Sequence, residues 1–184
     1  MPLDEYLNNR NFISTPEPAG KTSDDKTDNQ NAELVFVVHK HYASHLHYDL
    51  RLELDGILKS WAIPKGPTAN PREKRLAVMV EDHPFEYRNF EGEIPEGNYG
   101  AGKVHIWDEG TYEAVGAKNS KESSNIIREG ISKGHISFIL KGKKLKGEFA
   151  LIKLKKGDDK NWLLIKKSDE FTDAFDITQE NKKF

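Results

Sequence analysis

Residues 45 to 56 read HLHYDLRLELDG, in which Leu46, Tyr48, Leu50, Leu52 and Leu54 alternate without interruption with His47, Asp49, Arg51, Glu53 and Asp55. A period of two sends successive side chains to opposite faces of a pleated strand, and it cannot line one face of a 3.6-residue helix. The segment is therefore read as a strand with one buried, apolar face. A lone strand cannot bury that face, so the rest of the chain must supply partner strands and a shared core. The polar face then carries His47, Asp49 and Arg51 in a row.

Further strands are expected on both sides. ELVFVVHKH is a β-branched and aromatic run, ILKSWAIP and RLAVMVEDHP each close at a proline, and HISFIL, GEFALIKLKK and NWLLIKK complete the set, the last two joined by GDDKN. IPEGNYGAGKVHIWDEGTYEAV reads as a glycine-rich loop followed by a hairpin turning at Glu109 and Gly110. SKESSNIIREGISKG is the one clear helix, with serines to cap it, Ile126, Ile127 and Ile131 at helical spacing, and a glycine stop. Seven or more short strands and one helix predict a mainly β, compact single domain over 1–184, barrel-like or a sandwich, with one or more flanking helices. Within it, residues 1–32 form an N-terminal segment with a flexible polar loop at about 19–31. The barrel core runs over 33–170 and a C-terminal tail over 171–184. At 184 residues, 36% hydrophobic and 32% charged, a chain of this size buries roughly two-thirds of its unfolded surface without staples. It contains no cysteine, which removes disulfides and thiolate metal sites and fits an intracellular, cytoplasmic protein. No apolar run approaches membrane-spanning length, and the N-terminus lacks a signal-peptide pattern.

Four of the seven histidines, His39, His41, His45 and His47, fall within nine residues. His47 and Asp49 stand two apart on one strand face and can converge on one metal ion. A turn through Tyr42, Ala43 and Ser44 brings His41 back over that face as a third ligand. Two imidazoles and a carboxylate leave coordination positions open for water and substrate, and the set suits Mn, Fe or Zn. An ordinary polar sheet face also carries histidines, but Arg51 adds a fixed cation beside the proposed ion, an arrangement suited to phosphate. His39 and His45 lie off the ligand set, as outer supports or exposed residues. Because His47 and Asp49 point away from the leucines, replacing either is expected to leave the fold intact. Lys65 and Arg75 are candidate phosphate clamps, and His83 and Tyr87 a candidate general acid or oxyanion donor. GNYGAG has the wrong glycine spacing for a nucleotide-binding loop and leads into a strand.

The runs FVVHKHYASHLHYDLRLELDGILKSWAIPKGP, RLAVMVEDHPFEYRNFEGEIPEGNYGAG and WLLIKK closely resemble the 3'-phosphoesterase domain of bacterial DNA ligase D and its stand-alone archaeal and bacterial versions. The likeness covers nearly everything from Tyr6 to about Asp169, and no polymerase or ligase module is expected on the chain. It implies a compact β-barrel and a manganese-dependent enzyme that removes a 3'-terminal ribonucleoside from a primer strand and then the remaining 3'-phosphate, leaving a ligatable 3'-hydroxyl. By resemblance His41, His47 and Asp49 are the Mn2+ ligands. Arg51, Lys65, Arg75, His83 and Tyr87 belong to the phosphate-binding and catalytic pocket, and Arg10 and Glu17 contribute from the N-terminal segment. Implied partners are DNA primer-template or duplex ends and a separate ligase and polymerase or primase. One departure stands out: Asn11 occupies a position where the family usually has aspartate, and the monoester step is expected to be the weaker one here. Two other readings are a non-catalytic DNA-end-binding module and an iron oxygenase that joins His47 and Asp49 to His105 or His135.

Charge adds one pointer. Formal net charge is -2, yet residues 141–167 carry ten lysines against Glu148, Asp158 and Asp159. Such a patch suits a polyanion, and it equally suits solvated edge strands protected from aggregation.

Overall fold

A computed structural model describes residues 3–20 and 32–179. Of the polar loop expected at about 19–31, everything after residue 20 lies outside the described residues, as does the end of the tail beyond 179. Nine strands form: β1 (Leu34–Tyr42), β2 (Leu46–Leu54), β3 (Ile57–Ile63), β4 (Lys74–Pro84), β5 (Gly92–Ile94), β6 (Gly102–Ala114), β7 (His135–Gly142), β8 (Lys146–Lys153) and β9 (Asn161–Lys166). All pairings are antiparallel, in the order β1-β2-β3-β4-β9-β8-β7-β6, and β6 pairs back onto β1. Eight strands thus close a barrel, which leaves no free edge, while β5 adds to the outside of β6. No described helix is long and apolar enough to cross a membrane.

Alternation fills the interior. Phe36 and Val38 of β1, Tyr48, Leu50, Leu52 and Leu54 of β2, and Trp61 and Ile63 of β3 meet Phe138, Phe149, Leu151 and Trp162 from the far wall. Trp61 and Trp162 pack edge to face at 5.9 Å. Helix α2 (Ser120–Lys133) closes the end at the β2–β3 turn through buried Ile127, with Ile126 and Ile131 beside it and Arg128 donating to Asp55 at 2.9 Å. Its N-cap is Asn119, not a serine: the amide oxygen accepts from the Glu122 N–H at 2.9 Å. Gly134 ends it in the left-handed region at φ 85°.

Two expectations are corrected here. Glu109 and Gly110 make no hairpin, because β6 runs unbroken for 13 residues. Gly110 lies between Phe36 of β1 and Gly142 of β7, where an added Cβ would run into the carbonyl oxygen of Lys141. Close backbone approach, not a turn, explains that glycine. Nor is only one face of β2 buried. The outer face of β1–β4 is covered by helix α1 (Asp4–Asn8), the 3₁₀ turn Phe85–Asn89 and β5. Tyr6, Leu58, Tyr87, Phe90, Ile94 and Val104 form a second apolar cluster there, with Phe12 and Phe85 packed against it. Asp49 and Arg51 of the polar row are consequently buried between barrel wall and cover, while His47 and Glu53 stay half-buried. At the opposite end from α2 the tail meets the barrel through Ile177, which packs against the core, and through the Asp173 N–H, which donates to the Ala69 carbonyl at 3.0 Å.

Candidate active site

The β1–β2 hairpin sets His41 directly opposite His47, with ring centroids 4.7 Å apart, and Asp49 follows on the same face of β2. One donor atom from each of the three lies within 4.8 Å of the others. The imidazoles are held by backbone carbonyls that can only accept: His41 Nε2 donates to Gly100 O at 2.7 Å and His47 Nδ1 to His45 O at 3.1 Å. In the neutral rings this leaves lone pairs on His41 Nδ1 and His47 Nε2. They face the Asp49 carboxylate at 3.8 and 3.4 Å, too long for good hydrogen bonds. Two lone pairs and a carboxylate turned toward one point need a cation between them, and carbonyl-fixed tautomers are how metal-binding histidines are prepared. The donor set therefore fits a divalent metal. Burial pushes the Asp49 carboxyl up, but Arg51 together with His41 and His47 outweighs it and holds the group well below the usual carboxylate range. The nearby Asp49 carboxylate raises the pKa of His47.

Gly100 belongs to GNYGAG. The Gly100 carbonyl orients the His41 ring, a role the glycine spacing did not announce. Gly100 adopts φ 74°, and a Cβ added there would stand 3.6 Å from the His41 ring.

Arg51 lies behind the triad, 3% exposed. Its Nη2 donates to Asp49 Oδ2 at 3.1 Å, its Nη1 to Ser60 Oγ at 3.0 Å and its Nε to His39 Nδ1 at 3.1 Å. The guanidinium stands 4.9 Å from the Tyr87 ring centre. His39, one of the two histidines left off the ligand set, is completely buried, whereas His45 is exposed. Burial foremost, and then Arg51, lowers His39 to about 3.

The N-terminal segment delivers a second cation. Arg10 Nε donates to Glu17 Oε2 at 3.1 Å, its Nη1 binds Glu81 Oε1, and its guanidinium lies 4.1 Å from the Tyr6 ring centre. Burial works against this charge, but Glu17 and Glu81 outweigh it and raise the pKa of Arg10. Glu17 also accepts from Tyr87 Oη at 2.9 Å and Thr15 Oγ1 at 3.0 Å. Burial pushes the Tyr87 phenol well up, so it stays a donor. His83 packs 4.6 Å from Tyr87, and its Nδ1 donates to the Glu81 carbonyl at 2.9 Å. Burial, then Arg51 and Arg10, holds it well below its ordinary pKa. The ring is thus neutral, with a lone pair on Nε2. Glu81, 7% exposed and also bound by Asn9 at 3.0 Å, was missed in the sequence: in VMVEDHP it reads as one more polar strand residue.

Arg10 is held by Glu17 and Glu81, while exposed Asn11 caps a turn, its Oδ1 accepting from the Ile13 N–H at 3.1 Å. Lys65 and Arg75 stand apart from this cluster. Lys65 is exposed in the turn after β3, at the barrel end nearest His47. Arg75 shares the face of β4 that carries the inward residues Ala77 and Met79, opposite Leu164 of β9, and its Nη2 donates to Glu73 at 3.0 Å. His105 pairs with Glu91 at 3.8 Å and His135 is exposed; among the described residues only His41 joins His47 and Asp49. Of the lysine patch, Lys143 and Lys144 sit in the β7–β8 turn, whose backbone N–H groups donate to buried Asp108. Lys144 Nζ lies 4.6 Å from the Trp107 ring centre, and Trp107 packs 5.4 Å from Tyr48.

Fold and site define a closed β-barrel that carries a metal-competent histidine–carboxylate triad, backed by buried arginines, on its covered outer wall. A family model described as the DNA Ligase D 3'-phosphoesterase domain matches residues 39–153, and the chain belongs to that family. It is 48% identical over 97% of its length to the multifunctional non-homologous end joining protein LigD of Pseudomonas aeruginosa, of which it covers 20%. It is 44% identical over 91% of its length to the protein of the same name from Mycolicibacterium smegmatis, covering 21% of it. To the multifunctional non-homologous end joining DNA repair protein LigD of Mycobacterium tuberculosis it is 41% identical over 82% of its length, covering 18%. The chain thus spans about a fifth of the length of the curated relatives it matches.

Proposed function

We propose that this protein is a metal-dependent phosphoesterase that heals DNA 3' ends. It removes a 3'-terminal ribonucleoside and then the remaining 3'-phosphate, leaving a 3'-hydroxyl for a separate ligase after a polymerase or primase has acted. The observation that carries the reading is the bond from Arg51 to Asp49: one buried cation touches both the ligand set and the space beside it, where a phosphate would be attracted. His41, His47 and Asp49 would hold a divalent ion such as Mn2+, which when bound would supply Lewis acidity to a phosphate oxygen and acidify a water. Phosphoryl transfer asks mainly for positioned positive charge. Each terminal nitrogen of Arg51 retains a donor for a phosphate oxygen, and Arg10, held by Glu17 and Glu81, adds a second fixed charge. His83 Nε2 accepts a proton in the neutral ring, and the protonated ring that results can return it to the leaving oxygen. Lys65 and Arg75, at the barrel end near His47, are proposed to meet the outer oxygens of the monoester.

A primer-template with one 3'-ribonucleotide tests the reading. With Mn2+ the primer shortens by one nucleoside, shows a 3'-phosphate product and then a 3'-hydroxyl; chelator and His47→Ala stop both steps. Retention of the DNA without cleavage would identify an end-binding module instead. The oxygenase reading has no support in position, since neither His105 nor His135 joins the triad.

A further inference from the structure

We infer that His39 and Ser60 are positioning residues that lock the guanidinium plane of Arg51; this rests on the reading that Arg51 meets the substrate phosphate. Both are fully buried, and neither is one of the three grouped metal-competent side chains. They flank Arg51 on the two neighbouring strands: Ser60 is its direct partner on β3, and His39 lies on β1 opposite Asp49.

The direction of each hydrogen bond is imposed from outside the pair. His39 Nε2 lies 3.0 Å from the carbonyl oxygen of Phe90. A carbonyl can only accept, so the proton is on Nε2 and Nδ1 presents a lone pair to Arg51 Nε. The Ser60 hydroxyl donates to the Leu58 carbonyl at 3.2 Å, which turns an oxygen lone pair toward Arg51 Nη1. Asp49 accepts from the remaining terminal nitrogen, Nη2. Three acceptors on three sides, with the Tyr87 ring 4.9 Å from the guanidinium carbon, leave one orientation for the group. One N–H on each terminal nitrogen is then left for an incoming oxygen. His39 also ties this orientation to the cover, because Phe90 follows the 3₁₀ turn and packs in the outer apolar cluster.

The arrangement makes a specific demand: His39 and Ser60 act only through Arg51. The test is a set of double-mutant cycles joining Ser60→Ala, His39→Leu and His39→Gln to Arg51→Lys, read by single-turnover cleavage of a primer-template ending in one ribonucleotide. Ser60→Ala and His39→Leu are expected to slow cleavage by about ten- to a hundredfold, the scale of a misplaced catalytic cation. His39→Gln, whose amide offers both an acceptor and a donor, is expected to restore most of the rate. On the Arg51→Lys background each change is expected to matter less than about twofold. If that background is too slow to time, binding of an oligonucleotide ending in 3'-phosphate, by fluorescence anisotropy, completes the same cycle. Losses that persist undiminished on the lysine background, or single variants as active as wild type, overturn the inference. An Arg51→Lys protein that cleaves and binds like wild type would instead overturn the phosphate reading beneath it. Thermal melts accompany each variant, and Ser60→Ala removes only one atom should His39→Leu fail to fold.

Discussion

Replacing Asp49 by alanine and replacing His47 by alanine should both abolish cleavage, yet differ sharply in their effect on the fold. Facing away from the leucines does not make Asp49 dispensable, because the cover buries it to 5% exposure directly against Arg51 at 3%. Asp49→Ala leaves a buried guanidinium without its carboxylate, and breaking a buried pair from one side costs about 3–5 kcal/mol. His47 keeps 24% of its side chain exposed and makes one bond to a backbone carbonyl, so His47→Ala should cost within about 1 kcal/mol. For a domain of this size about 2–4 °C of Tm accompanies each kcal/mol. In chelator, Asp49→Ala should therefore melt at least about 6 °C below wild type and His47→Ala within about 4 °C of it. Adding Mn2+ at a hundredfold excess over its Kd should stabilise wild type by about 2.7 kcal/mol and neither variant. Asp49→Asn, which keeps an acceptor for Arg51, should fall between them. Differential scanning calorimetry with and without metal reads all four proteins. Equal melting of Asp49→Ala and wild type in chelator would refute the claim that Arg51 depends on this carboxylate.

Neutralising Lys143, Lys144 and Lys146 together should flatten the dependence of duplex binding on salt by up to about three in log–log slope if this turn meets the DNA backbone; an unchanged slope returns the turn to solvent. Asn11→Asp should leave the ratio of the two cleavage steps unchanged on a labelled primer, since either residue can cap the turn and Arg10 is held elsewhere; a shift in that ratio would show that residue 11 acts on the site. His39 and His83 are held neutral by burial first and then by nearby arginine, so unfolding lets them take protons that the folded state refuses. Stability of the metal-free protein should fall between pH 6 and 5, approaching about 1.4 kcal/mol per pH unit for each histidine. Urea unfolding of His39→Gln should show a shallower fall, and an identical fall would remove His39 from the account.

Alternation in residues 46–54 determined by itself that β2 is a strand, which side chains face the barrel and that His47 and Asp49 share a face. The grouping of His41, His47 and Asp49 was legible for the same reason: all three lie within nine residues of one hairpin, so local pairing alone brings His41 opposite His47. Helix α2 was legible from its isoleucine spacing, although its cap is Asn119. What the chain order could not show comes from contacts made across long separations. Gly100 orients His41 from 59 residues away, Tyr87 reaches Glu17 across 70, and Glu81 holds Arg10 across 71. Gly110, a turn residue by composition, lies inside a strand because barrel closure presses two backbones together there. The tertiary structure also decided that the polar face of β2 is covered. Period and spacing set only the direction in which a side chain leaves the backbone. Whether it meets water or another layer of protein is set by distant segments, and that cover decides that His39 and His83 are neutral, that Asp49 is charged, and that Arg51 is held in one plane.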